Sequence, residues 1–426
     1  LHEAESQTRF RFYLNERLKF YLEAKPLRSD LNNEDFANQA IKYSWNKGAV
    51  WAILTDFESI KVFNAQAIDK YLSDKLFFQI SYKDFIERFD QLWWLSKESF
   101  GLDTLDKEAE KVGKKLQRVS VNASLYKDLE QCREILTDEL SVWNKGLEKD
   151  SLDEGVQKIL DRLIFLRVAE DRGLESNLLL ALIRENKDDE KFYQSLIGKF
   201  RELDDIYNSN LFSPHPFEKW EDYGTTRKVI KKLYGKSGYY EYDFKIMPAD
   251  ILGSVYENYL SYRLTKSKSG LTLDKEAGKR KEQGIYYTPT YIVDYIVSNA
   301  LKPVLDKCKS VNDLKKIKVL DPACGSGSFL IKALEVITEK YEEFGYKNNE
   351  LTKLQVLTEN LYGVDLDEKA VEIARLNLLV STLDSRIKLP GLEKNIKNGN
   401  SLISGSDEEL QKYFGKNFKD KKPFNW

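Results

Sequence analysis

The sequence predicts an α/β protein in three parts: a small α/β domain, an all-helical connector, and the start of a doubly wound parallel sheet. Short aromatic and aliphatic runs separated by turn residues fill the first 66 residues. Apolar residues at helical spacing then dominate as far as about residue 260, and strand–helix alternation returns from Thr288. A chain of 426 residues also exceeds one ordinary core, so we expect two or three domains.

The first part, residues 1–66, has a strand–strand–helix–strand–strand pattern. Asn15 and Glu16 separate two short apolar runs, which is typical of a hairpin. A helically spaced segment and two further strand-like runs follow. The segments are Arg9–Tyr13, Lys19–Glu23, Phe36–Trp45, Ala49–Thr55 and Ile60–Phe63.

The second part, residues 67–275, is predicted to be a helical connector that leads into the helical entry of the third part. Val156–Asp171 and Ala249–Leu260 carry apolar residues at i, i+3 and i+4. Residues 265–284 are rich in Lys, Ser and Gly, which indicates a linker or an exposed hairpin.

The third part, residues 276–426, alternates helix and strand, which predicts a parallel, doubly wound, Rossmann-like sheet. The predicted strands are Lys318–Leu320 and Asn360–Val364. The predicted helices are Thr290–Leu305, Phe329–Tyr341 and Glu368–Ser381.

Composition narrows the class of protein. The 67 basic residues nearly balance the 69 acidic ones, so net charge neither indicates nor excludes a nucleic acid partner. Three widely spaced cysteines with only two histidines argue against a zinc site and against a disulfide framework. No apolar run approaches the ~20 residues of a membrane helix and no signal segment opens the sequence, so we expect a cytoplasmic protein without a membrane partner.

Two acidic residues at successive strand ends predict a site for a nucleoside-bearing cofactor. Asp321 ends one strand and is followed by a tight glycine turn and a helix, where open α/β sheets bind ligands. Asp365 ends the next strand and can accept the hydroxyls of a neutral ribose. Either acid alone would more simply cap a helix; the pair favours the cofactor. Physical argument alone does not separate a dinucleotide from S-adenosylmethionine.

The glycine turn resembles the cofactor motif of amino-directed DNA methyltransferases, which bind S-adenosylmethionine. The resemblance implies that the turn, a preceding segment over the methionine end, and a later polar residue that contacts the cofactor adenine form one site. The residues that it assigns are Asp321, Pro322, Ala323, Cys324, Gly325, Ser326 and Gly327 in the turn, Tyr287, Thr288 and Pro289 in the preceding segment, Asp365, and Asn400, where the family often has Asp.

That family transfers methyl to an exocyclic amine with an Asn/Asp/Ser-Pro-Pro-aromatic motif, on a base flipped out of double-stranded DNA. No such motif occurs in this sequence, which ends at Trp426. We therefore expect this chain to bind the cofactor without transferring methyl alone, and we expect a target-recognition domain elsewhere in the protein. The choice of adenine over cytosine rests on resemblance only.

A second candidate site lies near the start of the sequence. Glu23 and Lys25 share one face of a strand, so the carboxylate could hold Mg²⁺ and the lysine could assist phosphate chemistry, although any charged edge strand has the same spacing. The segments FYLEAKPL, QAIKYSW and AVWAILTDFESIKVF resemble the amino-terminal nuclease of type IIG restriction-modification enzymes. The resemblance makes Glu23, Lys25 and Gln39 catalytic and Glu23 a metal ligand. It departs at Arg9, where the family's first metal-binding Asp would lie about 14 residues before the Glu.

Together the resemblances imply a restriction-modification polypeptide that methylates adenine N6 and cleaves unmodified DNA with Mg²⁺. One alternative is a solitary or phage-defence adenine methyltransferase whose amino-terminal domain is structural. Another is a DNA-binding or assembly subunit that keeps a vestigial cofactor pocket.

Overall fold

The computed structural model describes residues 2–4, 9–14, 17–68, 70–114, 118–207, 211–235, 240–247, 262–267, 270–275 and 288–424. For residues 2–4, 9, 17, 262–267 and 270–275 the description covers the backbone alone. The chain forms two compact units, one of Leu1–Lys127 with Tyr234–Pro248 and the other of Asp128–Leu233 with Ala249–Trp426. In the described part of the chain, no helix combines the length and the apolar character needed to cross a membrane.

A mixed sheet of six strands forms the core of the first unit, with its strands side by side in chain order. The strands are β1 (His2–Ala4), β2 (Arg9–Leu14), β3 (Arg17–Ala24), β4 (Trp51–Thr55), β5 (Ser59–Asn64) and β6 (Leu76–Ser81). Strands β3 and β4 are parallel, joined through helix α1 (Glu34–Asn46), and every other neighbouring pair is antiparallel. The predicted hairpin, helix and two following strands are confirmed.

The two faces of this sheet differ because side chains alternate along each strand. One face buries an apolar cluster that includes Phe20, Trp51 and Val62 against Phe100 and Leu105. The other face packs on α1 and carries Tyr21 and Glu23. The candidate nuclease residues therefore lie between the sheet and α1.

Four short helices follow within the first unit: α2 (Leu72–Lys75), α3 (Phe89–Trp93), α4 (Lys97–Gly101) and α5 (Thr104–Lys111). Strand β6 lies beyond residue 66, the predicted end of the first domain. Its run LFFQIS is too short for periodicity to distinguish strand from helix. The domain boundaries at 66 and 275 stay predictions.

The helical middle contributes α6 (Val121–Trp143), α7 (Lys149–Asp171), α8 (Leu178–Glu185), α9 (Asp189–Tyr207) and α10 (Thr225–Lys232). The predicted helix Val156–Asp171 is confirmed as the greater part of α7. From Val156 to Glu170 almost every α7 residue is buried, including Asp161 and Arg162, so charged side chains in this helix need partners.

Two strands, β7 (Tyr262–Ser267) and β8 (Gly270–Lys275), form an antiparallel hairpin where the sequence suggested a linker or a hairpin. The predicted helix Ala249–Leu260 lies outside the described residues.

The carboxyl-terminal region holds a parallel sheet in the order β11–β10–β9, with β9 (Val319–Asp321), β10 (Leu361–Asp365) and β11 (Ile396–Asn398). The helices are α11 (Thr290–Leu305), α12 (Val311–Lys316), α13 (Ser328–Glu343), α14 (Glu350–Glu359), α15 (Glu368–Thr382) and α16 (Asp407–Phe414). The predicted strands before Asp321 and Asp365 and the three predicted helices are confirmed to within two residues at each end. Strand β11 was not predicted as a strand, since three residues show no period.

Candidate cofactor site and candidate nuclease site

Asp321 and Asp365 lie at the carboxyl ends of neighbouring parallel strands. The register pairs Asp321 with Gly363, so the end of β10 extends two residues past that of β9. Burial raises the pKa of Asp321, and the charge of Asp365 adds to that rise. The structure therefore brings the two predicted acids together at one edge of the sheet.

The turn after β9 wraps over the end of β10. Gly325 and Gly327 have φ angles of +51° and +87°, which L side chains rarely adopt. The Cys324 amide donates to the Val364 carbonyl at 2.9 Å. A side chain built at Gly325 would meet no atom within 4 Å, so the turn faces open space. A ligand could approach this backbone closely.

The Asp365 carboxylate links this turn to its own strand end. Its Oδ2 accepts the Gly325 amide at 2.9 Å, and its Oδ1 accepts the Asp367 amide at 2.9 Å. Each carboxylate oxygen has a second lone pair, so these bonds leave capacity for two ribose hydroxyls. The backbone contacts also fix the orientation of the carboxylate.

Burial is the main cause of the perturbed titration here. Burial raises the pKa of Asp321. The Ala323 amide donates to Asp321 Oδ1 at 3.1 Å and acts in the opposite direction, because it lowers that pKa. Burial, with the charges of Asp365 and Asp321, also raises the pKa of the Cys324 thiol well above its ordinary value. The Cys324 side chain is buried, and its raised pKa favours the neutral thiol.

The remaining turn residues divide into exposed and buried positions. Pro322 and Ala323 are exposed, whereas Ser326 is buried. The Asn377 amide Nδ2 donates to the Ser326 carbonyl at 3.0 Å, which ties the turn to α15. The exposed pair can be reached from solvent, and the assignment of Ser326 to the cofactor stays a prediction.

Asn400 lies just past β11, the strand beside β10. Asp365 pairs with Asn398 in the register, and the Gly399 amide donates to the Asp365 carbonyl at 2.9 Å. The Asn400 Oδ1 accepts the Leu402 amide at 3.1 Å. The predicted adenine-contacting residue therefore belongs to the same sheet edge as Asp365.

Thr288 and Pro289 are half-buried and directly precede α11, which packs on α13. The Pro289 carbonyl accepts the Ile292 amide at 2.8 Å, so it starts that helix. Tyr287 lies outside the described residues. The role of this segment at the methionine end stays a prediction.

The three predicted nuclease residues form one cluster. The Lys25 ammonium donates to Glu23 Oε1 at 2.6 Å and to Gln39 Oε1 at 3.0 Å. Glu23 is only 4% exposed. Lys25 also lies 4.4 Å from the ring centre of Phe36, a contact that the sequence analysis missed. Phe36 lies one helical turn before Gln39 on α1, and this i, i+3 spacing could have indicated that Phe36 also contacts Lys25.

The strand register places Arg9 directly opposite Glu23, and Ala4 opposite Arg9. Arg9, which lies about 14 residues before Glu23 in the sequence, is therefore the cross-strand neighbour of Glu23, and it is a basic residue. Glu3 pairs instead with Phe10, one position away. Among the described residues, no group of three or more His, Cys, Asp or Glu side chains is arranged to hold a metal ion.

Residues 248–414 match the family described as N-6 DNA Methylase. The chain is 28% identical to the type II restriction enzyme and methyltransferase RM.Eco57I of Escherichia coli, over 94% of this chain and 43% of that protein. It is 24% identical to a putative type II restriction enzyme and methyltransferase of Methanocaldococcus jannaschii, over 92% of this chain and 42% of that protein.

The chain thus spans less than half the length of these relatives. A solved structure of the type IIL restriction-modification enzyme MmeI in complex with DNA aligns over 67% of this chain and 41% of that one, at 17% identity. Its TM-score of 0.40 is too low to support an argument about the fold. The chain is therefore similar over most of its length to type II restriction enzymes and methyltransferases, and its carboxyl-terminal region matches the N-6 DNA methylase family.

Proposed function

We propose that residues 276–426 bind S-adenosylmethionine as part of an enzyme that methylates adenine N6 in double-stranded DNA. The observation that carries this proposal is the pair of neighbouring strand ends, Asp321 and Asp365, beneath an open glycine turn. When bound, S-adenosylmethionine supplies an electrophilic methyl group.

The residues present fit this cofactor. Asp365 is oriented by two backbone amides and suits the ribose hydroxyls. We assign Asn400, which follows the adjacent strand, to the adenine. We assign the segment Tyr287, Thr288 and Pro289 to the methionine end. Asp321 and the exposed Pro322–Ala323 segment line the space between. These residues bind and orient; none of them is proposed to move a proton.

Methyl transfer itself needs groups that localise the lone pair of the target amine. The sequence has no two adjacent prolines, so it contains no motif of the Pro-Pro-aromatic type. We therefore expect this chain to bind the cofactor without transferring methyl by itself.

A binding measurement tests the cofactor assignment. Titration calorimetry of the chain with S-adenosylmethionine should give a saturable isotherm, whereas NAD⁺ should give none. Binding of NAD⁺ in preference to S-adenosylmethionine would refute the assignment, since both contain an adenosine ribose that an acidic strand end can hold.

We further propose restriction cleavage as the second activity of the full-length protein, with residues 1–66 as a nuclease-like domain and 67–275 as the connector. The cluster of Glu23, Lys25 and Gln39 supports this assignment. The described residues do not, however, fit Mg²⁺ well, because Glu23 is ion-paired and its cross-strand neighbour is Arg9. That register favours the second candidate, an adenine methyltransferase with an inactive amino-terminal domain.

Cleavage of unmodified DNA by the full-length protein separates the two candidates. An active nuclease should cut with Mg²⁺ and lose cutting in Glu23→Ala and Lys25→Ala. If the wild-type protein does not cut, the second candidate is correct. Arg9→Asp then tests the reason, since it restores a carboxylate opposite Glu23 and should restore Mg²⁺-dependent cutting.

A further inference from the structure

Helix α7 of the helical middle lies along α15, the helix that starts directly after the Asp365 strand end. Their contact is made by ion pairs and hydrogen bonds spread along both helices. Lys158 Nζ lies 2.6 Å from Glu372 Oε1. Near the other end, Arg172 Nη1 donates to the Leu383 carbonyl at 2.7 Å. Contacts with α7 and with Arg172, directly after it, therefore hold α15 along most of its length.

The contact closest to the cofactor site is an ion triad centred on Asp153. Its Oδ1 accepts Arg133 of α6 and its Oδ2 accepts Lys369 of α15. Arg133 is 1% exposed, so its buried guanidinium is stabilised by the pairing with this carboxylate. Burial alone would raise the pKa of Asp153, but the Arg133 and Lys369 cations hold it below its ordinary value. The triad is therefore charged near neutral pH.

The helix dipole at the position of Lys369 disfavours a cation. Lys369 lies in the first turn of α15, where the helix dipole is positive, and only four residues after Asp365. Its amide donates to Asp367 Oδ1 at 3.0 Å, and the Asp367 amide donates to Asp365 Oδ1 at 2.9 Å. A continuous chain of bonds thus runs from Asp153 to the carboxylate assigned to the ribose.

We infer that Asp153 is a positioning residue for the cofactor site: by holding the Lys369 ammonium on α7, it keeps the turn of residues 365–369 in the arrangement that orients Asp365. Loss of the carboxylate frees an ammonium group beside acids at the strand end, where it can pair with Asp365 and compete with a ribose. The inference rests on the proposed cofactor function and deepens it, because it makes the helical middle a determinant of cofactor affinity.

The test compares Asp153→Asn with Glu218→Gln in calorimetry with S-adenosylmethionine. Glu218 is a matched control, since it is also a largely buried acid of the helical middle that pairs with arginines, Arg162 and Arg201, away from α15. Asp153→Asn should weaken cofactor binding by about tenfold. Glu218→Gln should leave the dissociation constant within about twofold even though it lowers stability.

The double variant D153N/K369Q separates competition by the freed ammonium from loss of the anchor. It removes the freed ammonium but does not restore the anchor, so it should recover only part of the affinity that D153N loses. Hydrogen exchange without ligand gives an independent readout: D153N should accelerate exchange at residues 366–369 and leave α13 unchanged.

Each arm can overturn the inference. Wild-type affinity in D153N, or equal losses in D153N and E218Q, would show that Asp153 does not position the cofactor site. No recovery in the double variant would show that the freed ammonium does not compete with the ribose. If the wild-type chain does not bind S-adenosylmethionine, the proposed function fails and the inference with it, whereas failure of D153N alone leaves the proposed function intact.

Discussion

At the residue scale, the candidate cofactor site is built at a cost to the ligand-free chain. Asp321 is half-buried and lies near Asp365, and the partial burial and the neighbouring charge both disfavour its charged form. Gly325 and Gly327 take left-handed backbone angles so that the turn can close over β10. Residues that serve a ligand and not the fold have this character, because their charge or strain is compensated only on binding.

Replacing Asp321 with Asn should therefore stabilise the ligand-free chain at pH 7. Since the folded-state pKa is raised, the folded state binds the extra proton, and stability falls as pH rises from 3.8 through the raised value. The gain in the free energy of unfolding from Asp321→Asn, measured with urea, should shrink as the pH is lowered toward 3.8. The same substitution should lower the affinity for the cofactor.

Asp313→Asn is the control of opposite sign, because a hydrogen bond from Ser310 lowers the pKa of Asp313. It should destabilise the chain at pH 7, if only slightly, since the group is exposed. Loss of stability in Asp321→Asn at pH 7 would contradict the account of that carboxyl group.

The left-handed turn makes its own prediction. Gly327→Ala should cost about 1–2 kcal/mol in the free energy of unfolding, because φ is +87° and the new Cβ would lie 3.4 Å from Ala374. Gly198→Ala, in the middle of α9 with open space around it, should instead gain about 0.5–1 kcal/mol. Urea unfolding measures both, and an unaffected Gly327→Ala variant would show that the turn is not strained.

At the element scale, α7 is a buried helix, and several of its charged side chains are buried as well. Arg162 is 1% exposed; its guanidinium donates to Glu218 Oε1 at 2.8 Å and to the Leu211 carbonyl at 2.8 Å, and it lies 4.7 Å from the Phe217 ring centre. A buried cation with this many partners fixes how α7 meets the segment after α9. Its removal leaves buried acceptors behind, which is the costly case.

Arg162→Met should accordingly destabilise the chain by about 3–5 kcal/mol. Lys199→Met breaks the exposed pair of Lys199 with Glu202 in the same region and should cost less than about 1 kcal/mol. Chemical unfolding followed by circular dichroism measures the difference. Equal losses in the two variants would mean that the Arg162 contacts contribute no more than a surface pair.

Elements with a clear period could be predicted from the sequence, and those without one could not. Strand β10 and helix α15 were predicted nearly to the residue, because five apolar-rich residues end at an acid and a fifteen-residue amphipathic run follows. Strand β11 has three residues and shows no pattern.

The candidate sites divide in the same way. Asp321, Asp365 and the Glu23–Lys25 pair could be found because each lies in a local pattern. The contact of Asp153 with Lys369 joins positions 216 residues apart, and a charge on a helix does not show what it faces.

At the scale of the whole molecule, the chain has two units, and each of them contains its own candidate site. The first places a Glu–Lys–Gln cluster between a mixed sheet and α1. The second places two acids and a glycine turn at the edge of a parallel sheet, within the matched methylase region. In the second unit, the match to the methylase family and the geometry of the strand ends coincide.

The most direct test of that claim is the cofactor affinity of Asp365→Ala, measured by titration calorimetry beside the wild-type chain. The account predicts that the wild-type chain binds S-adenosylmethionine and that Asp365→Ala loses at least about tenfold in affinity, because the ribose then loses a charged acceptor. Equal affinity of the two chains would contradict the account, since it would place the cofactor away from the β10 strand end.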